Sequence, residues 1–456
     1  MGPSVFWVEK RFPMANSSST YRIGDFVKFA HPLLLTLALC CTMSMLPHCL
    51  AVADENAAAL KKSEVYRGLI SSSEKTRLRT ILNCQRQSIH LNAEFEALAA
   101  ASRRSISEAE TTKTIRPSTS QLLYLMGTLD EPGVETLLID ALESPLLGIR
   151  ILAIDILGQN QMHGSIDFLK RQVSCPEYKE MYGFRFNLLR AFTRMRHPDA
   201  IDFLTAVLPT LDGQLRHLID AALDSATVED FQGDEERFSQ WLARNDAPAK
   251  NKENQDDDEK IVFKTAGYES ESANGIKFAK SQYYGINIYA QRVMFIIDHS
   301  GSMEDQWLGM SRLTRAKLEL IKVIRELPEE TEFALMFYET SVRLWRKELV
   351  IASEDNKLEA IAFIRRLGYG DRTNTYGALR EALTFDNDLE SVFMLTDGRP
   401  TIGATVEPGK ILADILGRNR FRHLNFNTIG IAVNPNTEAF LKQLADGSGG
   451  EYRRAF

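Results

Sequence analysis

The chain has 456 residues, of which 44% are hydrophobic, 25% charged and 9% aromatic. That composition excludes a collagen-like, wholly disordered or polytopic membrane protein, and the length suggests roughly two or three domains. With 54 Lys and Arg against 61 Asp and Glu, the net charge of −7 excludes a general nucleic-acid binder, whose affinity rests on neutralising phosphates.

The first feature in chain order is the run from Pro32 to Leu50, preceded by Lys10, Arg11, Arg22 and Lys28 and followed by Ala51-Val-Ala53. A basic leader, an apolar stretch and an A-x-A site predict a secretory signal peptide over residues 1–53, cleaved near Ala53. The alternative is a membrane anchor over residues 32–52, although Pro47 and His48 shorten its apolar core below the ~20 residues that a span needs. Translation starts at Met1 or at Met14. Cleavage would leave 403 residues, and losing four basic and two acidic residues would take the net charge to −9. Of the five cysteines only Cys84 and Cys175 would remain, either paired in an exporting compartment or separately buried.

Residues 54–118 are rich in helix formers, and 84–115 reads as one long amphipathic helix without chemical motifs. From 119 to 245 the apolar period stays near 3.6 and a repeat emerges. Gly148-Ile-Arg150 returns as Gly183-Phe-Arg185, and Ser165-Ile-Asp-Phe-Leu169 returns as Ala200-Ile-Asp-Phe-Leu204, both after 35 residues. Paired helices repeated at such a period predict an all-α solenoid that resembles HEAT repeats. It serves either as a spacer or as a concave face for a partner. His90, His163, His197 and His217 fall in this half without metal-ligand spacing.

Residues 246–289 read as a charged linker and a polar approach segment. The acidic triplet Asp256 to Asp258 lacks the glycine and closing glutamate of an EF-hand. Beyond it, Val293–Ile297 is an apolar run of strand length, followed by a helix over Ser311–Leu327. Further strands are predicted at Phe333–Tyr338, Val342–Trp345, Val392–Thr396 and Asn425–Ile431, with helices between them. This alternation predicts an α/β, doubly wound, Rossmann-like sheet with its site at the carboxyl ends of the strands.

Two of those ends carry Asp298-x-Ser300-x-Ser302 and Leu395-Thr-Asp397-Gly398, and a helix between them begins with Asp371-Arg-Thr373. In this order the three pieces resemble the von Willebrand factor A domain and its metal-ion-dependent adhesion site, over residues 290–456. With the helical repeats and the leader, the resemblance is to a bacterial exported type. It implies that Asp298, Ser300 and Ser302 form a first metal loop, that Thr373 supplies the second and that Asp397 supplies the third. A hard cation such as Mg²⁺ or Mn²⁺ suits these oxygen donors. With few direct anions the cation would stay electrophilic, so that a carboxylate from a protein partner completes its shell. His299, Arg372 and Arg399 flank the motif as a rim. Where many members have Gly-Gly-Thr, this chain has Asp371-Arg372-Thr373, and Thr375 is a second hydroxyl, expected on the surface of the first helical turn. The resemblance implies an exported, metal-dependent binding protein with no catalytic residues and no small-molecule substrate. The alternative is a structural module of an envelope assembly in which the metal only stabilises the A domain.

Overall fold

The computed structural model describes residue 60 and residues 62–86, 94–227 and 281–455. The apolar leader, His90 and the Asp256–Asp258 triplet lie outside the described residues. The chain divides into two compact units, Met1–Arg67 and Gly68–Phe456. The described part of the first is the start of helix α1 (Glu64–Leu69).

The second unit begins with helices α2 (Glu74–Arg86), α3 (Phe95–Thr112), α4 (Pro117–Gly127), α5 (Pro132–Ala141) and α6 (Leu147–Gln159). Helices α7 (Ile166–Arg171), α8 (Pro176–Glu180), α9 (Tyr182–Met195), α10 (Pro198–Val207) and α11 (Gly213–Thr227) follow. Proline opens α4, α5, α8 and α10, where its missing N–H breaks no helical bond and its fixed φ starts the turn. The single helix expected over 84–115 is instead two elements: α2 closes at Arg86 and α3 opens at Phe95. The 35-residue recurrence falls on α6 with α7, and again on α9 with α10. Helix α6 is apolar on every side, with Ile149, Leu152, Ile154 and Ile156 all enclosed, as a helix between neighbours must be. Gly158 lets it approach α9, because an added Cβ would lie 2.4 Å from the Ala191 Cα. Asp155 ties three helices, accepting from Tyr124 (2.6 Å), Arg190 (2.7 Å) and Arg194 (2.7 Å). Cys84 and Cys175 are free thiols, and burial pushes the Cys84 thiol up. Among the described residues no helix is long and apolar enough to cross a membrane.

Residues 281–455 form a layered α/β domain. The short hairpin β1 (Gln282–Tyr283) and β2 (Ile286–Asn287) lies in the stretch grouped above with the linker, yet Tyr283 and Ile286 are buried in the domain's core. The main elements are β3 (Arg292–Asp298), a hairpin β4 (Gln306–Trp307) with β5 (Met310–Ser311), α12 (Arg312–Glu326) and β6 (Glu332–Tyr338). Next come β7 (Val342–Leu344), β8 (Val350–Ile351), α13 (Glu354–Arg366), α14 (Thr375–Phe385) and β9 (Ser391–Thr396). The chain ends with α15 (Pro408–Arg422), β10 (Asn425–Gly430), α16 (Pro435–Ser448) and β11 (Tyr452–Arg454). The sheet order is β11-β10-β9-β3-β6-β7, with β8 also beside β6; β7 and β8 are antiparallel and the rest parallel. Strand β3 shows why the fold has two helical layers. Val293, Phe295 and Ile297 pack with α12 and α13, while Met294 and Ile296 pack with α14, α15 and α16. A period of two on a strand buried on both faces gives this division.

The helical region docks on the amino ends of the strands. Arg292, the first residue of β3, reaches Glu390 (2.7 Å), Asp388 (3.0 Å), Asp212 (3.2 Å) and Glu332 (3.4 Å). Glu390 is 1% exposed and also accepts the Gln214 main-chain N–H in the first turn of α11 at 2.8 Å. Burial pushes its carboxyl up to about 7, although Arg292 pulls the other way. Gly183 needs to lack a side chain, since an added Cβ would lie 2.2 Å from the Phe421 carbonyl oxygen. His423 stacks on Phe186 at 4.3 Å and its Nε2 donates to Asn187 Oδ1 at 3.1 Å. Burial and then Arg190 push it down to about 3, so the ring is neutral. Replacing Arg292 by Met strands a buried carboxylate, a loss of about 3–5 kcal/mol for an orphaned buried charge. Urea denaturation of the full chain should show that loss, and Arg292→Met with Glu390→Gln should recover at least half of it. No recovery would show that Arg292 acts through its other carboxylates.

Candidate metal centre

The centre lies where the strand order reverses, between β3 and β9, at their carboxyl ends. Asp298 ends β3 and is fully buried. Its Oδ1 accepts the Ser300 N–H at 2.9 Å, and its Oδ2 accepts the Thr396 hydroxyl at 2.6 Å and the Tyr338 hydroxyl at 3.4 Å. Burial, and then the charge of Asp397, push its carboxyl up to about 6. One turn of 3-10 helix over Gly301–Glu304 then carries Ser302. The Ser300 and Ser302 hydroxyls lie 3.4 Å apart, and Ser302 donates to Asp397 Oδ1 at 2.9 Å. Ser300 is buried and Ser302 is exposed as a residue, while both hydroxyls face the carboxylate side of the loop.

The second loop is laid across the first by its main chain. Gly370 N–H donates to the His299 carbonyl at 2.7 Å, and Gly301 N–H donates to the Asp371 carbonyl at 3.0 Å. His299 Nδ1 bonds the Gly368 carbonyl at 3.0 Å, which assigns the proton to Nδ1. Burial pushes this imidazole down. His299 is therefore a buried pin between loops and not the rim residue expected. Its position directly after the strand end turns it inward. Thr373 is buried and locked to the third loop: its N–H donates to the Thr401 hydroxyl at 2.8 Å, and Thr401 N–H donates to its carbonyl at 2.9 Å. Asn374 caps α14 by accepting the Gly377 N–H at 3.0 Å. Thr375 opens that helix and is buried rather than on the surface, because the helix start is tucked under the loops. Arg372 and Arg399 are exposed, as a rim requires.

Asp397 follows β9, and its side chain is fully buried. Besides Ser302 it holds a residue that motif reading missed: Arg312 Nη1 donates to Asp397 Oδ2 at 2.7 Å. The one sequence signal for Arg312 is its place at the first position of α12, where a cation opposes the helix dipole and so needs a separate reason to be there.

The donors fit a hard divalent cation. Three hydroxyls, from Ser300, Ser302 and Thr373, join two carboxylates, Asp298 and Asp397, with no thiolate or imidazole among them. A guanidinium already stands on one carboxylate, which shows how strongly the pocket demands positive charge. Among the described residues there is no cluster of three His, Cys, Asp or Glu side chains for a softer metal. A bound cation would supply an electrophilic position for an oxygen ligand from outside.

Fold and motif order together define an A domain, with a hydroxyl-rich cluster at its strand ends. Residues 291–454 match the family model of the von Willebrand factor type A domain. Over 162 residues the chain is 31% identical to human von Willebrand factor A domain-containing protein 3B, a match covering 35% of this chain and 11% of that protein. It is 29% identical over 177 residues to human inter-alpha-trypsin inhibitor heavy chain H1, covering 36% and 19%. The chain thus spans under a fifth of the length of these relatives. Among solved structures it is similar to a von Willebrand factor type A protein from Catenulispora acidiphila, with 22% identity, a TM-score of 0.31, and 36% and 38% of the two chains covered. It is also similar to mussel byssus proximal thread matrix protein 1 with a zinc-occupied MIDAS motif, with 13% identity, a TM-score of 0.28, and 36% and 43% covered.

The raised Asp298 carboxyl makes a signed prediction. A folded pKa of about 6 against an ordinary 3.8 means that ionising Asp298 costs stability as pH rises through that window, by up to about 3 kcal/mol once it is fully charged. In chelator at pH 7.5, Asp298→Asn should therefore be more stable than the parent chain, with the advantage shrinking toward pH 5. A less stable Asn variant at pH 7.5 would show that the site already compensates the charge.

Proposed function

We propose that this chain is an exported, metal-dependent binding protein whose A domain engages an acidic residue of a protein partner through Mg²⁺ or Mn²⁺. The observation that carries the reading is the cluster itself: the Ser300 and Ser302 hydroxyls stand with the buried carboxylates of Asp298 and Asp397 at the strand ends, beside the buried Thr373 and two exposed arginines. Neutral direct donors leave the cation electrophilic, and Arg372 and Arg399 add attraction for an anionic partner. Export is supported by the basic leader, the apolar run and the Ala51-Val-Ala53 site, with cleavage near Ala53 or retention as an anchor over residues 32–52. The helical region, with its HEAT-like recurrence, acts as scaffold or second contact surface. Neither nucleic acid nor a small-molecule substrate enters this reading, and no residue is assigned a catalytic role.

A second reading has one observation in its favour. Asp397 is already held by Ser302 and Arg312, so the centre is internally bonded, as a purely structural metal site in an envelope assembly would be.

Calorimetry of the full chain with Mg²⁺ and Mn²⁺ should give one site per chain, lost in Asp298→Ala with Ser300→Ala. Partners captured from an envelope fraction should be released by chelator. Cation binding with chelator-insensitive capture would favour the structural reading, and no cation binding would reject both.

A further inference from the structure

Arg312 belongs to none of the three motif pieces, yet it makes the closest ionic contact in the centre. Its Nη1 serves three acceptors: Asp397 Oδ2 at 2.7 Å, the Ser302 carbonyl at 3.3 Å and Asp305 Oδ2 at 3.4 Å. The two carboxylates differ in surroundings, since the Asp397 side chain is fully buried and that of Asp305 is mostly exposed. The guanidinium sits where a cation is disfavoured by the helix dipole, so the Asp397 pair outweighs that cost. Asp397 in turn has its charge compensated by protein alone.

We propose that Arg312 is the resident counter-cation of the centre, competing with a divalent cation for Asp397 and so setting the cation concentration at which the centre fills. The inference rests on the reading of the centre as a cation site. With Arg312 on Asp397, the two buried carboxylates and one guanidinium sum to a single negative charge. A divalent cation turns that into a single positive charge and places two like charges within one small, weakly screened pocket. Binding therefore works against Arg312, either by displacing it from Asp397 or by tolerating it nearby. Asp305 offers the way out. Its main-chain carbonyl already accepts the Arg312 N–H at 3.1 Å, and its hydrated carboxylate stands 3.4 Å from Nη1. A side-chain rotation exchanges one ion pair for another without moving the backbone.

The test is calorimetric titration of Mg²⁺ and Mn²⁺ into the full chain, with urea denaturation in chelator alongside. Arg312→Gln should bind cation about tenfold tighter or more while its cation-free form loses stability, because a like charge is removed from the cation's vicinity and Asp397 is left unpaired. Arg312→Lys, which keeps the charge, should stay within about threefold of the parent chain. Asp305→Asn should bind several-fold more weakly, since the guanidinium loses its alternative partner. Should Arg312→Gln bind with unchanged or weaker affinity while Asp298→Ala with Ser300→Ala abolishes binding, Arg312 merely positions Asp397 and the proposal is overturned. If neither the parent chain nor Arg312→Gln takes up cation, the reading of the centre fails and the proposal fails with it.

Discussion

Everything at the working end of the A domain follows from two carboxylates held in a pocket that hydrates neither. Asp298 and Asp397 stand at the ends of adjacent parallel strands, and the register of β3 against β9 leaves them no freedom to separate. Hydroxyls from Thr396, Tyr338 and Ser302 solvate them in part. Hydrogen bonds to neutral donors lower the cost of buried charge but do not cancel it. The raised Asp298 carboxyl is what remains of that cost, and Arg312 is the protein's own means of reducing it. A pocket so arranged favours positive charge, and in this structure Arg312 supplies it.

The other end of the same sheet solves a similar problem in the opposite way. Glu390 is as buried as Asp298, but Arg292 and the first turn of α11 close over it. The helical region supplies the closure over Glu390 through Asp212, Gln214 and Arg185. One end is covered by the chain itself and the other keeps an exposed serine and exposed arginines. That asymmetry separates a docking joint from a binding site more clearly than the residue types do.

Much of this was legible in the sequence because a buried parallel strand has few ways to be written. Val293–Ile297, Phe333–Tyr338 and Val392–Thr396 are strands within one residue of their apolar runs, and the motif residues lie at their ends. Local pattern failed where an outcome depends on a partner distant in sequence. His299 and Thr375 are polar residues beside a loop and were expected at the surface, but main-chain bonds from Gly368 to Asp371 and the tuck of α14 bury them. Arg292, Glu390 and Arg312 carry no motif. Their importance comes from carboxylates and amides separated from them by up to 176 residues, as Gln214 is from Glu390. The two helices in place of one over 84–115 are the opposite case, a local failure in which heptad-like spacing does not mark where one helix ends and the next begins.

The two ends are joined by rigid elements. Strand β3 begins at Arg292 and ends at Asp298, while Glu390 immediately precedes β9 and Asp397 immediately follows it. The same pair of hydrogen-bonded strands therefore anchors the helical region below and the candidate centre above, about 20 Å apart at the usual rise of roughly 3.3 Å per residue. Strands paired on both sides and packed on both faces have no soft dihedral through which one end moves without the other. A ligand held at the centre is thus held at a fixed distance from the helical region. The joint is made of buried ion pairs, a shielded imidazole and a glycine with no room for a side chain, rather than of loose surface contact. Under the proposed reading that constraint matters as much as the site's chemistry, because it would decide which second surface a partner engaged at the centre could reach.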